Sequence, residues 1–182
     1  MTIIQSENPV VTSSLHLILG GARSGKSAYG ERLAKDSELP VVYVATAQAF
    51  DDEMRERIKQ HQSDRPDHWQ SIEVLCDLPK ALLENSHSNN VVLVDCLTLW
   101  LMNLMYQKKD IHQSVTDLLH ALAQVKGRVI LVSNEITMGV VPMGKDSRLY
   151  VDELGRLHQR IAQAAQQVTL MVAGIPMVVK GS

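Results

Sequence analysis

The sequence predicts an α/β fold in which helices flank a mostly parallel β-sheet, and three observations support this prediction. Short apolar segments of strand length alternate with longer helical segments along most of the chain, which is the pattern of βαβ units. A glycine-rich phosphate-binding motif joins the first strand to the first helix. The length of 182 residues suits one domain with a full core. We therefore expect one nucleotide-binding domain at 14–182, preceded by a loose leader at 1–13.

The predicted strands are short apolar segments, most of them rich in β-branched residues. In chain order they cover 15–19, 40–46, 90–95, 128–133 and 168–173, with an edge strand at 176–180. The segment 90–95 reads NVVLVD and has apolar residues on both faces, as buried strands of parallel sheets do. The prediction is therefore a sheet of five or six strands.

The predicted helices lie between these strands. They cover 27–36, 51–61, 79–84, 98–106, 115–126 and 147–167. The helix at 51–61 begins with three acidic residues, which the positive end of a helix dipole favours. Pro66 marks a loop at 64–69, and glycine and proline mark another loop at 134–142.

Charge and composition exclude several classes of protein. The chain has 18 Lys and Arg against 20 Asp and Glu, a net charge of −2, so no basic field would attract nucleic acid or an anionic membrane. The longest apolar stretch, 91–106, contains Asp95 and Asn103 and is too short to span a bilayer. Cys76 and Cys96 cannot build a disulfide scaffold or a four-ligand zinc site. We expect two core thiols, no secretory signal and a cytoplasmic location.

The motif at 20–27 reads GGARSGKS and matches the phosphate loop of nucleotide-binding proteins. Its glycines let the backbone turn tightly, so that successive N–H groups point at a phosphate, and the next helix adds its positive end. Lys26 would reach the β- and γ-phosphates, and the Ser27 hydroxyl would bind Mg²⁺. Arg23 either contacts phosphate as well or is a solvated side chain. The predicted nucleotide-binding residues of the motif are Gly20, Gly21, Ala22, Arg23, Ser24, Gly25, Lys26 and Ser27.

Two acidic residues follow buried strands, at the edge where ligands bind in open α/β sheets. Asp95 ends the NVVLVD strand and is predicted to bind Mg²⁺ or its water shell together with Ser27. Asp95 could instead cap the helix that begins near Thr98. Glu135 follows the RVILVS strand, where it is either a second acid of the site or a loop carboxylate.

Seven histidines need separate interpretation. His61 shares a helix face with Met54 and Ile58, so it is either a packed or capping side chain, or a nucleophile beside the nucleotide. We expect His158 to be partly exposed on the last helix. The remaining histidines are expected to be structural in the first strand, in the 64–69 loop, or on the surface: His16, His68, His87, His112 and His120.

Five segments, in this order, resemble one family. They read LILGGARSGKSAYGERLA, YVATAQAFDDEMRERIKQHQSDRPDHW, VLVDCLTLWLMNL, LVSNEITMGVVP and LGRLHQRIAQAAQQVTLMVAGIP. The family is that of the bifunctional adenosylcobinamide kinases / adenosylcobinamide-phosphate guanylyltransferases of cobalamin assembly. The resemblance runs from about Leu15 to Lys180 and implies a RecA-like P-loop sheet.

The resemblance implies a two-step enzyme that uses ATP and GTP with Mg²⁺. It would phosphorylate adenosylcobinamide and then transfer GMP from GTP to adenosylcobinamide phosphate, giving adenosylcobinamide-GDP and pyrophosphate. His61 matches the histidine that carries GMP in this family, and Lys26 would act in catalysis with it. The resemblance adds a homotrimer and further nucleotide contacts at Thr46, Ala47, Gln48 and Glu73, besides the Asp95 already predicted at the site.

The sequence departs from the family pattern near the second acid. Thr137 stands where glycine is usual after Glu135, and Asp95 stands where some members carry Glu. Two other functions remain open at this point. One is a simple P-loop kinase of small molecules with a structural His61 and no covalent nucleotide. The other is a nucleotide-gated binding module without transfer chemistry.

Overall fold

The computed structural model describes residues 13–48 and 66–181. Seven strands in these residues form one sheet, in the order β3-β2-β4-β5-β1-β6-β7. Five of the strand pairings are parallel, and only β7 runs antiparallel to its neighbour β6. The strands are β1 Ser14–Gly20, β2 Val41–Ala45, β3 Gln70–Glu73, β4 Val91–Asp95, β5 Arg128–Asn134, β6 Gln167–Val172 and β7 Ile175–Lys180.

Five helices connect the strands in the described part of the chain. They are α1 Lys26–Asp36, α2 Leu78–Asn85, α3 Leu97–Tyr106, α4 Ile111–Leu122 and α5 Lys145–Ala164. Asp110 caps α4 by accepting a hydrogen bond from the Gln113 amide at 3.0 Å, as N-cap carboxylates do. No helix among the described residues is long and apolar enough to cross a membrane.

Two hydrophobic clusters cover the two faces of the sheet. One face carries Leu17 and Val44 and packs against α2, α3, α4 and α5. The opposite face carries Ile18 and Tyr43 and packs against Ala34 of α1. Neighbouring residues of a strand point to opposite faces, so apolar residues at consecutive positions allow both faces to be buried. This is the arrangement that the continuous apolar strands predict.

The predicted α/β class and mostly parallel sheet are confirmed. The strand count was wrong, because β3 (QSIE) is short, polar and largely exposed at the edge of the sheet and so lacks an apolar pattern. Helices α4 and α5 begin earlier than predicted, at Ile111 and Lys145. Most of the predicted leader and the predicted 51–61 helix with His61 lie outside the described residues.

Candidate active site

The predicted site residues at the ends of β1, β4 and β5 lie together along the edge of the sheet formed by the carboxyl ends of its parallel strands. Gly20 pairs with Asn134 across β1 and β5, and Asp95 pairs with Val132 across β4 and β5. The Glu135 amide donates a hydrogen bond to the Gly20 carbonyl at 2.8 Å. The phosphate loop and both predicted acids therefore meet at the carboxyl ends of parallel strands, which is where ligands bind in open α/β sheets.

The phosphate loop leaves β1 and turns directly into α1. Gly25 and Arg23 both have left-handed backbone angles, with φ of 91° and 56°. The Ser24 amide donates to the Gly21 carbonyl at 3.3 Å, and the Lys26 ammonium donates to the same carbonyl at 2.8 Å. This compact turn ahead of a helix N-terminus is the backbone arrangement that binds phosphate groups.

The phosphate loop is closely packed against β6 and the turn that follows it. A Cβ on Gly20 would lie 2.4 Å from Ser24 Oγ and 2.9 Å from the Met171 carbonyl oxygen. The Gly174 amide, in the turn between β6 and β7, donates to the Ser24 carbonyl at 3.0 Å. The Ser24 hydroxyl is buried and has no hydrogen-bond partner within residues 13–48 and 66–181. β6 and the turn between β6 and β7 therefore pack against the phosphate loop and fix its position.

Asp95 and Thr46 lie at the same carboxyl-end edge of the sheet as this loop, at the end of β4 and directly after β2. The Tyr43 hydroxyl donates to Asp95 Oδ2 at 3.1 Å. The fully buried Thr46 hydroxyl donates to the Cys96 carbonyl at 2.7 Å and accepts from the Cys96 amide at 2.8 Å. The side chain of Thr46 thus joins the ends of two strands.

A divalent cation fits this donor set only together with a nucleotide. No cluster of three or more His, Cys, Asp or Glu side chains suited to a metal occurs in 13–48 and 66–181. Mg²⁺ does not need such a cluster, because it usually takes one or two protein oxygens and completes its shell with phosphate and water. The Ser27 hydroxyl and the Asp95 carboxylate are the residues that would hold it.

The position of His158 differs from the prediction of partial exposure. It is only 5% exposed, since α5 turns it toward the sheet with Leu154 and Ile161. Its Nε2 lies 2.8 Å from Ser133 Oγ, and its Nδ1 lies 3.7 Å from Glu135 Oε2. Burial lowers the pKa of His158, although the Glu135 carboxylate acts in the opposite direction. The spacing of Leu154, His158 and Ile161 on one helix face was the signal for this burial.

The other predicted nucleotide-binding residues lie after β2 and at the end of β3. Ala47 is half-buried, whereas Gln48 and Glu73 are exposed at the same edge of the sheet, where Glu73 pairs with Ala45. Cys96 is buried, and desolvation together with Asp95 raises the pKa of its thiol to about 11, so this thiol is protonated at neutral pH. His61 lies outside the described residues.

The remaining histidines follow the predictions made for them. His16 is half-buried in β1, where its Nε2 lies 2.8 Å from Thr169 Oγ1, and burial lowers its pKa. The others among the described residues are exposed: His68, His87, His112 and His120. Both cysteines are free, but Cys76 is only half-buried.

Comparison with solved structures supports the fold. The flagellar accessory protein FlaH from Methanocaldococcus jannaschii is similar, with a TM-score of 0.52, 17% identity, and coverage of 93% of this chain and 79% of that one. The protein PH0250 from Pyrococcus horikoshii has a TM-score of 0.56 and 9% identity, covering 92% of this chain and 86% of that one. With the loop between β1 and α1, these similarities establish a P-loop NTPase fold.

Comparison with known sequences establishes the family. The bifunctional adenosylcobalamin biosynthesis protein CobP of Pseudomonas aeruginosa is 52% identical over 169 residues, which is 91% of this chain and 96% of that protein. The bifunctional adenosylcobalamin biosynthesis protein CobU of Escherichia coli is 36% identical over 179 residues, 90% of this chain and 98% of that protein. A family model described as cobinamide kinase / cobinamide phosphate guanyltransferase matches residues 16–179. The predicted resemblance is confirmed, and the chain belongs to this family of enzymes.

Proposed function

We propose that this chain phosphorylates adenosylcobinamide with a nucleoside triphosphate and then transfers GMP from GTP to adenosylcobinamide phosphate. The products of the second reaction are adenosylcobinamide-GDP and pyrophosphate. The observation that carries the proposal is the phosphate loop beside Asp95 and Glu135 at one sheet edge, in a chain that its family model spans almost completely. A phosphate site of this kind is needed by both reactions.

The phosphate loop provides the charge stabilisation that both transfers require. Loop amides and the α1 N-terminus face the triphosphate, and Lys26 balances its negative charge. Mg²⁺, held by Ser27 and Asp95 with the nucleotide, supplies Lewis-acid stabilisation of the phosphates when bound. Phosphoryl transfer depends mainly on such positioning and electrostatics, since the protein has little covalent chemistry to perform.

In the kinase reaction, a bond forms between the hydroxyl oxygen of the aminopropanol group and the γ-phosphorus. The bond from that phosphorus to the β-phosphate oxygen breaks, and the nucleoside diphosphate leaves. The hydroxyl proton departs to solvent or to a base. The role of the protein is to hold the two reacting groups in line, which alone lowers the barrier strongly.

In the second reaction, we assign the nucleophile to His61. The unprotonated nitrogen of its imidazole attacks the α-phosphorus of GTP, the bond to the β-phosphate oxygen breaks, and pyrophosphate leaves. A phosphate oxygen of adenosylcobinamide phosphate then attacks this phosphorus, and the phosphorus–nitrogen bond breaks to restore neutral His61. The stretch from Asp51 to Trp69, which resembles the family most specifically, supports this assignment.

Further contacts and the assembly are part of the same proposal. Thr46, Ala47, Gln48 and Glu73 would line the nucleotide. Thr46 would act by shaping this edge of the sheet, because its hydroxyl, amide and carbonyl are all hydrogen-bonded within the protein. We expect a cytoplasmic homotrimer with sites between subunits. A patch of exposed apolar residues on β6 and β7 is suited to a subunit contact; it comprises Val172, Ile175, Met177, Val178 and Val179.

The experiment that tests this function is incubation with Mg²⁺ and GTP labelled at the α-phosphate, followed by a denaturing gel. We expect a protein-bound label that is acid-labile and alkali-stable, as a phosphoramidate is, and that H61A abolishes. The matched control is H68A, because His68 is an exposed histidine near the same segment. GTP binding without a covalent label would favour the simple kinase, and no transfer to adenosylcobinamide at all would favour a binding module.

A further inference from the structure

A chain of buried polar groups runs beneath the start of the loop that follows β5. The Asn134 amide donates to Thr98 Oγ1 at 2.7 Å, and Thr98 Oγ1 lies 3.1 Å from Ser133 Oγ. Ser133 Oγ lies 2.8 Å from Nε2 of His158, whose Nδ1 faces Glu135 Oε2 at 3.7 Å. These contacts link the end of β5 and the residue after it to α3 and α5, which lie on one face of the sheet.

The chemistry of these groups indicates where the imidazole proton lies. A backbone amide can only donate, so Thr98 Oγ1 accepts a hydrogen bond from Asn134. The Thr98 hydroxyl can then donate its own hydrogen bond to Ser133 Oγ. Ser133 then donates to Nε2 of His158, which leaves the ring proton on Nδ1. The opposite order would aim the Nδ1 lone pair at the carboxylate of Glu135, which is electrostatically unfavourable. The Nδ1–H of His158 therefore faces the Glu135 carboxylate at 3.7 Å, an electrostatic contact that is longer than a hydrogen bond.

The same three residue types occur in nucleophilic triads, but this arrangement cannot act as one. A nucleophile must reach its substrate, whereas Ser133 has 0% exposure. Its hydroxyl is enclosed between Thr98 and His158. Any effect of these buried polar groups on the reaction must therefore act through Glu135, because Glu135 contacts the phosphate loop.

Glu135 connects this polar chain to the phosphate loop and to the segment 136–143. Its amide donates to the Gly20 carbonyl at 2.8 Å. Its Oε1 accepts hydrogen bonds from the amide and the hydroxyl of Thr137, both at 2.5 Å. One carboxylate oxygen thus fixes the first turn of the segment, while the other faces His158.

The segment 136–143 carries large apolar side chains in solvent. Met138, Val140 and Met143 are 76%, 97% and 96% exposed, and Ile136 and Val141 are exposed as well. Such a concentration is characteristic of a surface that becomes covered by a ligand or partner. The segment begins beside the phosphate loop, because the Glu135 amide bonds to the Gly20 carbonyl, and a phosphate acceptor has to reach that loop to react. A large acceptor with apolar parts, such as a corrinoid, would cover it.

We propose that His158 is a positioning residue for the kinase reaction: through Glu135 it holds segment 136–143 beside the phosphate loop, where the segment binds the acceptor. The choice of acceptor rests on the proposed function above. The anchoring of the segment rests only on the contacts of Glu135 and His158.

Two variants of His158 separate positioning from packing. H158Q places a carboxamide near Nε2 and keeps a partner for Ser133, but it lacks the group that faces Glu135. H158N places a carboxamide near Nδ1, from which it can donate to Glu135, and leaves Ser133 without its acceptor. We expect H158Q to raise the KM for adenosylcobinamide about tenfold, within the usual coupling between contacting residues, with an unchanged KM for the nucleotide. We expect the KM of H158N for adenosylcobinamide to stay close to that of the wild type. The exposed-site control H120Q should have the wild-type KM.

Amide hydrogen exchange provides a readout independent of turnover. H158Q is expected to accelerate exchange in 136–143 but not in 20–27. Equal exchange in wild type and H158Q, an equal rise in both KM values, or a greater loss in H158N than in H158Q would overturn the proposal. Faster exchange in H158Q, combined with a wild type that does not phosphorylate adenosylcobinamide, would refute the proposed function and retain the anchoring role.

Discussion

Replacing Gly20 with alanine tests how tightly the phosphate loop is packed. Gly20 ends β1, and an added Cβ would meet Ser24 Oγ at 2.4 Å, the Met171 carbonyl oxygen at 2.9 Å and Met171 Cβ at 3.0 Å. The contact with Met171 Cβ is well below the roughly 3.5–4.0 Å at which non-bonded carbon atoms attract each other, and the two contacts with oxygen atoms are shorter still. The methyl group therefore has no space unless the loop or β6 moves.

The magnitude follows from which neighbour can move. The Ser24 side chain can rotate, but the carbonyl of Met171 belongs to β6, which is paired with β1 at Gly20. Moving it disrupts the ladder between the two strands. Overpacking of this kind costs about 1–3 kcal/mol, so we expect G20A to lower the free energy of unfolding by about 2 kcal/mol. For a chain of this length that corresponds to a melting temperature lower by roughly 5 °C.

Urea denaturation and calorimetry measure this loss, and the next residue provides the control. A Cβ on Gly21 meets nothing within 4 Å, so G21A is expected to leave stability nearly unchanged. In the double variant G20A/S24A the nearest clash is removed while the clash with Met171 remains, so we expect part of the stability to return. Stabilities of G20A and G21A that agree within about 0.5 kcal/mol, the usual spread of neutral substitutions, would refute the packing argument.

Three further predictions concern charge and buried polar groups. K26A is expected to abolish both phosphorylation and GMP transfer, because both use one triphosphate site, whereas K35A at the far end of α1 retains both; a normal kinase rate in K26A would indicate separate sites. T46V removes both buried hydrogen bonds of the threonine hydroxyl and is expected to cost roughly 2–3 kcal/mol in urea denaturation; a neutral effect would contradict this. Burial lowers the pKa of His16 and His158, so the unfolded chain binds more protons below about pH 6.5. The free energy of unfolding should therefore fall as the pH drops through that value, and less so in H158N; a pH-independent stability, or an undiminished fall in H158N, would contradict the lowered pKa values.

The parts of the fold that were predictable have local signals. The phosphate loop is a contiguous motif whose glycines and lysine have fixed roles, so its place between strand and helix could be read directly. The segment NVVLVD forms β4 as predicted, because a strand buried on both faces needs an apolar residue at nearly every position. Asp95 and Glu135 were placed at the correct edge by the general rule for parallel sheets.

The parts that were missed depend on groups far apart in the chain. β3 is a strand because its backbone pairs with β2, since its side chains are mostly exposed. The Thr46 hydroxyl bonds to the backbone of Cys96, 50 residues away. His158 is buried because α5 lies across Ser133 and Glu135, and a polar residue among apolar neighbours gave only a weak sign of this. Tertiary contacts of this kind leave no short-range pattern.

The position of β1 in the sheet has a consequence for how the chain is made. β1 emerges from the ribosome before the other strands, but its two neighbours are β5 and β6, so Ser14 waits for Arg128 and His16 waits for Gln167. At about 5–20 residues per second, the first apolar strand remains without a partner on either edge for roughly 5–20 s. During that time it is open to pairing with other nascent chains. The strand that precedes the nucleotide-binding loop is thus synthesised early but paired late. We therefore expect chaperones that cover unpaired strands to bind the newly synthesised chain.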